Sequence, residues 1–151
     1  MTEHPMIGRE TPPGEAQAAP DEIARFCEAV GDIRSEYADV SDAKVGTIGA
    51  VIAPPTFPMR FLFDALEPDL FFDLGLNLAG IVHAEQEFIY ERPVRAGESY
   101  AIAGKVFDVW EKQGRSGPLD FVTFEARGLE KKSGELVFTA RMTLISRRLE
   151  E

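Results

Sequence analysis

The feature that most constrains this chain is a change of hydrophobic period near residue 81. Segments near 81–91, 98–112, 119–131 and 135–147 alternate or run apolar with β-branched and aromatic residues. Turn chemistry at Pro93 to Gly97, Gly114 to Pro118 and Ser133-Gly134 separates them. In the last segment Leu136, Phe138, Ala140, Met142 and Leu144 form one apolar face. Four long consecutive antiparallel strands are predicted, and one face of such a sheet must cover something apolar. The only large apolar object earlier in the chain is the segment 56–67, which contains Phe57, Phe61, Leu62, Phe63, Ala65 and Leu66. Thr56 is placed to cap it as a helix, Pro58 is tolerated in its first turn, and Pro68 ends it. Apolar residues lie on every side of that helix, so other structure must wrap it. The expected class is α+β: a curved antiparallel sheet around one long central helix.

Residues 1–20, with Pro5, Pro12 and Pro13, lack a periodic apolar pattern and read as a flexible or wrapping arm. A single domain is expected over 21–151, a length that can bury a core without metal or disulfide staples. Pro20-Asp21-Glu22 opens a first helix, with acids at the positive end of its dipole. Ile23, Phe26, Cys27 and Val30 fall on one face of it, and Gly31 is suited to stop it. Cys27, the only cysteine, reads as a small core residue and excludes an internal disulfide. Residues 31–53 are irregular and too long for a neutral connector, which makes them a candidate functional segment.

The formal net charge of -10 speaks against nucleic acid, whose phosphates call for a basic surface. The charge is uneven: residues 1–79 carry 5 Lys and Arg against 14 Asp and Glu, and residues 80–151 carry 11 against 12. The cations of the second half either solvate a sheet or meet a polyanionic small molecule. With no apolar run of about 18 residues and no cleavable leader pattern, a soluble cytoplasmic protein without membrane partners is expected. Two histidines and one cysteine argue against a zinc centre.

Several motifs resemble one family in residue type and in order. They are Gly31-Asp32 with Tyr37, Asp39, Ala43 and Gly46; Ile52-Ala53-Pro54-Pro55-Thr56-Phe57; Val82-His83-Ala84-Glu85-Gln86-Glu87-Phe88; and Arg92-Pro93-Val94-Arg95-Ala96-Gly97-Glu98. Over roughly residues 20–147 the chain resembles the MaoC-like dehydratase superfamily, and within it the N-terminal, fatty-acid-synthase-like dehydratase branch. The resemblance implies the hot-dog fold and the reversible addition of water to a trans-2-enoyl thioester, carried on coenzyme A or acyl carrier protein, with no further cofactor. It also implies that two hot-dog chains join, as a homo- or hetero-oligomer.

The resemblance further implies a signature of the form Gly-Asp-x-Asn-Pro-x-His. Its Asp and His activate one water, while a backbone N–H at the start of the central helix polarises the thioester carbonyl. Here Arg34-Ser35 replaces Asn-Pro and Tyr37 stands at the histidine position. A phenol with a pKa near 10 is no base at neutral pH. At the helix start Pro54-Pro55 replaces His-Gly, and neither proline has an N–H to donate. Asp32 and His83 are the candidate catalytic residues. Tyr37, Ala53, Pro54, Thr56 and Phe57 are candidates for substrate binding, with the Thr56 and Phe57 N–H groups expected to donate to a thioester or phosphate oxygen.

Each has a structural alternative. Asp32 can be a turn residue after Gly31, Tyr37 can line a pocket or bond the backbone, and His83 can be a satisfied strand residue sharing a face with Glu85 and Glu87. Three functions stay open on the sequence: the degenerate half of a heteromeric (R)-specific enoyl-thioester hydratase, a self-sufficient hydratase homodimer, and a non-catalytic acyl-thioester-binding module.

Overall fold

A computed structural model describes residues 4–34, 37, 49–66 and 68–147. Ser35, Asp39, Ala43 and Gly46 of the motifs above lie outside them. Five strands form one antiparallel sheet: β1 (Gly14–Gln17), β2 (Ile81–Tyr90), β3 (Ser99–Gly114), β4 (Gly117–Glu130) and β5 (Leu136–Arg147), in the order β1-β3-β4-β5-β2. β3, β4 and β5 follow one another as hairpins, whereas β2 crosses to the far side of β5. The four predicted strands are present. The fifth, β1, lies within the segment read as an arm and pairs with Ser99 to Ile102 of β3.

Helix α1 (Pro20–Val30) starts with Pro20 and two acids and ends at Gly31, whose φ of 72° is the left-handed conformation glycine adopts without strain. Ile23 and Cys27 are buried on its inner face, but Val30 is 55% exposed. Only the middle of this short helix meets the core.

The central helix is shorter than its apolar run. α2 spans Met59–Ala65, and a separate α3 spans Pro68–Asp73. Residues 54–58 form tight turns instead, with Phe57 N–H donating to Pro54 O and Met59 N–H to Thr56 O. Pro58, not Thr56, holds the cap position, with no side-chain cap. Phe61 and Leu62 of α2 are buried against the sheet, while Phe63 is 60% exposed. No helix among the described residues is long and apolar enough to cross a membrane.

The inner face of the sheet alternates as the strand period requires: Tyr100, Ile102 and Val106 of β3, Val122, Phe124 and Ala126 of β4, and Phe138, Ala140 and Met142 of β5 are all buried. Phe138 sits at the meeting point, its ring centroid 6.2 Å from Phe61, 6.0 Å from Tyr100 and 6.3 Å from Tyr90. Directly opposite Phe138 in the ladder is Gly128, where an added Cβ would lie 2.2 Å from the Phe138 ring. The ring fills the space that any side chain at 128 would need.

Gly128→Ala should therefore destabilise the protein by about 1–3 kcal/mol through overpacking. Gly14→Ala, whose Cβ would meet only Ile102 at 3.8 Å, should be close to neutral. Urea unfolding of both variants checks this, and equal stability of the two would contradict the packing described.

Candidate functional site

The turn after β2 ties three parts of the chain together. Ala53 N–H donates to Val94 O and Ala96 N–H to Val51 O, which docks the segment before α2 on residues 94–96. Gly97 N–H donates to Ala18 O, and Ala18 N–H to Glu98 O, which docks the segment before α1 on the same turn. Inside it, Arg92 Nη1 donates to Glu98 Oε2 at 2.8 Å and to Pro93 O at 3.2 Å, and the Tyr100 hydroxyl also donates to Glu98 Oε2. Burial pushes the Glu98 carboxyl up, but the hydrogen bonds from Arg92 and Tyr100 outweigh it and hold the group below its ordinary value.

Against this turn lies an open, mainly apolar cavity of about 350 Å³, lined by Tyr37, Ile52, Ala53, Pro55, Tyr90, Glu91, Arg92, Pro93 and Val94. Its size is that of a small-molecule pocket. The Tyr90 hydroxyl donates to Pro55 O, so the proline turn and the end of β2 close one wall together. Burial holds the Tyr90 phenol far above its ordinary pKa, leaving it a neutral donor.

Asp32 is placed by the end of α1, where its N–H donates to Cys27 O. Its carboxylate is gripped by Arg34, from Nε at 3.0 Å and Nη2 at 2.7 Å, and the Arg34 guanidinium stacks 4.7 Å from the Tyr37 ring centroid. Arg34, at the position where the resemblance implies asparagine, thus bridges Asp32 to the pocket-lining Tyr37. Its hydrogen bond holds the Asp32 carboxyl below the usual carboxylate range, which makes it a poorer proton acceptor.

His83 is not brought to this place. Six residues of strand, Ala84 to Ile89, separate it from Tyr90, roughly 20 Å at the rise of a strand. The ladder skips Ala84: His83 pairs with Leu144 and Glu85 with Thr143. That bulge puts His83 on the Leu144 side of the sheet, opposite to Glu85 and Glu87, so the expected shared face does not exist. The exposed imidazole lies 3.2 Å from Glu85 O.

Of the residues expected to bind substrate, Tyr37 and Ala53 line the cavity. Pro54 is buried and outside the lining. Phe57 is fully buried between Phe26 and Phe61, with its N–H committed to Pro54 O. Neither its ring nor its amide faces the pocket. Thr56 is exposed, and its N–H has no acceptor among the described residues. Ile52, Pro55 and the run from Tyr90 to Val94 also line the cavity and are not among the residues that the sequence singles out for the site. For Tyr90 the available signal is the parity of β2, since Gln86, Phe88 and Tyr90 point inward. A larger cavity of about 580 Å³ lies between Leu74–Leu76 and the Val109–Glu111 part of β3, and no residue of the motifs lines it. No group of three or more His, Cys, Asp or Glu among the described residues could hold a metal ion.

Arg34→Ala should raise the Asp32 pKa toward the ordinary value of about 4, read by carboxyl NMR titration. The sign for stability follows from the lowered folded pKa: the contribution is present above the unfolded value and lost as pH falls through the folded one. The variant should lose that part of its acid-side pH dependence, and an unmoved Asp32 titration would contradict the grip of Arg34.

Comparison with known proteins places this geometry. Residues 5–140 match the family described as the FAS1-like, dehydratase domain region. A UPF0336 protein of Streptomyces griseus subsp. griseus is 36% identical, covering 97% of this chain and 95% of its own. A UPF0336 protein of Saccharopolyspora erythraea is also 36% identical, covering 94% and 89%. Among solved structures, the C-terminally truncated HadBC (3R-hydroxyacyl-ACP dehydratase) complex from Mycobacterium tuberculosis aligns with a TM-score of 0.78 at 23% identity, over 96% of this chain and 100% of that one. A MaoC-like dehydratase aligns with a TM-score of 0.80 at 20% identity, over 94% of this chain and 42% of that one. A five-stranded antiparallel sheet packed on short helices is the hot-dog fold of these neighbours, and the chain belongs to the FAS1-like dehydratase-domain family.

Proposed function

We infer that this chain is the pocket-forming subunit of an (R)-specific enoyl-thioester hydratase or 3-hydroxyacyl-thioester dehydratase, working in the cytoplasm beside a second hot-dog chain that supplies the acid/base pair. The observation that carries the reading is the grip of Arg34 on Asp32 beside an otherwise well-formed apolar cavity. Hydration delivers hydroxide to C3 and a proton to C2 of the enoyl thioester, so the site must take one proton from water and give one to carbon. Asp32 is engaged and its basicity is lowered, Tyr37 and Tyr90 are phenols, and His83 lies at the other end of β2. What the chain retains is the apolar wall between the turn at 92–98 and the segment before α2, suited to an acyl group on coenzyme A or acyl carrier protein.

The neighbours support an assembly of unlike chains. The HadBC structure and the ChsH1-ChsH2 structure from Mycobacterium tuberculosis, the latter with a TM-score of 0.74 at 21% identity, are both named as complexes. A self-sufficient hydratase would need Asp32 as its base, and that difference decides the test.

The purified chain should not hydrate a crotonyl-type thioester, and adding a hydratase chain with an intact Asp and His signature should give turnover. In that complex Asp32→Asn here should change the rate by less than about threefold, against about a hundredfold or more for a catalytic carboxylate. Ala53→Phe, which fills the cavity, should lower kcat/KM for longer acyl groups more than for crotonyl. Turnover by the lone chain that Asp32→Asn abolishes would overturn the reading.

A further inference from the structure

The face of the sheet turned away from Phe61 carries its side chains in rows that run across the strands. Lys105, Glu125, Arg141 and Glu87 form one row, and their charges alternate. Lys105 meets Glu125 at 3.4 Å, while Arg141 meets Glu125 at 2.9 Å and Glu87 at 3.3 Å, so this row neutralises itself. The next row is Asp108, Thr123, Thr143 and Glu85. It has a carboxylate at each end and no cation.

Both flanking strands are irregular beside this second row. β2 inserts Ala84 before Glu85, and β3 inserts Phe107 before Asp108. A bulge bends its strand and re-aims side chains, and bulges recur next to active sites. On β3 it sets the Phe107 ring centroid 4.3 Å from the Arg141 guanidinium. Between that ring, Trp110 and the polar row lies a cavity of about 210 Å³. This is below the roughly 300–1,000 Å³ of pockets for drug-sized ligands, and it suits a single small ring, not a chain.

The floor of the cavity is the hydroxyl pair. Thr123 Oγ1 and Thr143 Oγ1 lie 2.9 Å apart, and the two residues are 7% and 9% exposed. Each hydroxyl carries one proton, and their mutual bond uses one of the two. The other O–H has no acceptor among the described residues, and a buried donor left unpaired is costly. The rim supplies acceptors. The Glu85 carboxylate has no hydrogen bond or ion pair among the described residues, and Asp108 accepts only from the Val109 N–H, through Oδ1 at 2.8 Å.

This pattern selects a class of ligand. An anion would meet Glu85, Glu87 and Asp108 against one guanidinium that Glu87 and Glu125 already share. An ammonium group suits the carboxylates, but it has donors only and leaves the floor proton without an acceptor. A hydroxyl group does both, accepting from the threonine pair and donating to a carboxylate. The C–H face of a ring that bears several hydroxyls can lie against Phe107 and Trp110.

We propose that this face of the sheet binds a small uncharged polyol of the size of one sugar ring, its hydroxyls held by the Thr123 and Thr143 floor and by Glu85 and Asp108. The inference does not rest on the subunit reading, since Tyr90 of the apolar cavity faces the other side of the sheet.

The test titrates the full chain with glucose, galactose and myo-inositol, and follows the Thr123 and Thr143 amides and the Trp110 indole N–H by NMR. At least one of these polyols should saturate the signals with a Kd of about 1–10 mM, the range for a ligand of so few atoms. Putrescine and acetate should not. Thr123→Val/Thr143→Val replaces both hydroxyls with groups of the same shape, so it should keep the fold and weaken binding about tenfold or more. Glu85→Gln, at an exposed position, should weaken binding about threefold or more, which keeps the test decisive if the valine pair does not fold. No saturable shift with any of the polyols overturns the proposal. Saturation by putrescine alone does so too, as does unchanged affinity in the folded variants. No activity is read, so failure here is distinct from failure of the turnover experiment.

Discussion

One aromatic ring holds the layers of this protein together. Phe138 on β5 meets Phe61 of the central helix, Tyr100 of β3 and Tyr90 of β2, and it reaches them because β4 carries no side chain at Gly128. Aromatic pairs of this kind add directional contacts to the area they bury. The curvature of the sheet, the seat of α2 and the position of Tyr90 all follow from where that ring can go. Tyr90 then passes the constraint to the pocket, because its hydroxyl fixes the Pro55 carbonyl on the opposite wall.

The second constraint is electrostatic. Arg92, Glu98 and Tyr100 close the turn that docks both the segment before α1 and the segment before α2, and Glu98 is the acceptor they share. Arg34 acts in the same sense on Asp32. Asp32 and Glu98 are each paired with a guanidinium, which stabilises their charged forms.

Much of this was legible in the chain. The alternation of 136, 138, 140, 142 and 144 predicts β5 and its buried face, and the acids after Pro20 with Gly31 predict the limits of α1. Two misreadings have local causes. The apolar run 56–67 reads as one long helix, but residues 55–58 form turns instead, the helix covers only Met59–Ala65, and Pro68 opens a separate α3. β1 has the sequence Gly-Glu-Ala-Gln, without β-branched or aromatic residues, and it is a strand because β3 offers an edge to pair with.

The sequence by itself determined the strand period, the apolar segment the sheet must cover, a phenol at position 37 and two residues without an N–H at Pro54-Pro55. These are properties of residue type and spacing, which no folding can alter. Only the tertiary structure decided which of those residues meet. A single extra residue at Ala84 reverses the face on which His83 lies, and the shared turn brings Tyr37, Ala53 and Tyr90 around one cavity while sealing Phe57 in the core. Period is a local property, but register and burial depend on contacts between segments far apart in the chain, and those contacts set the site.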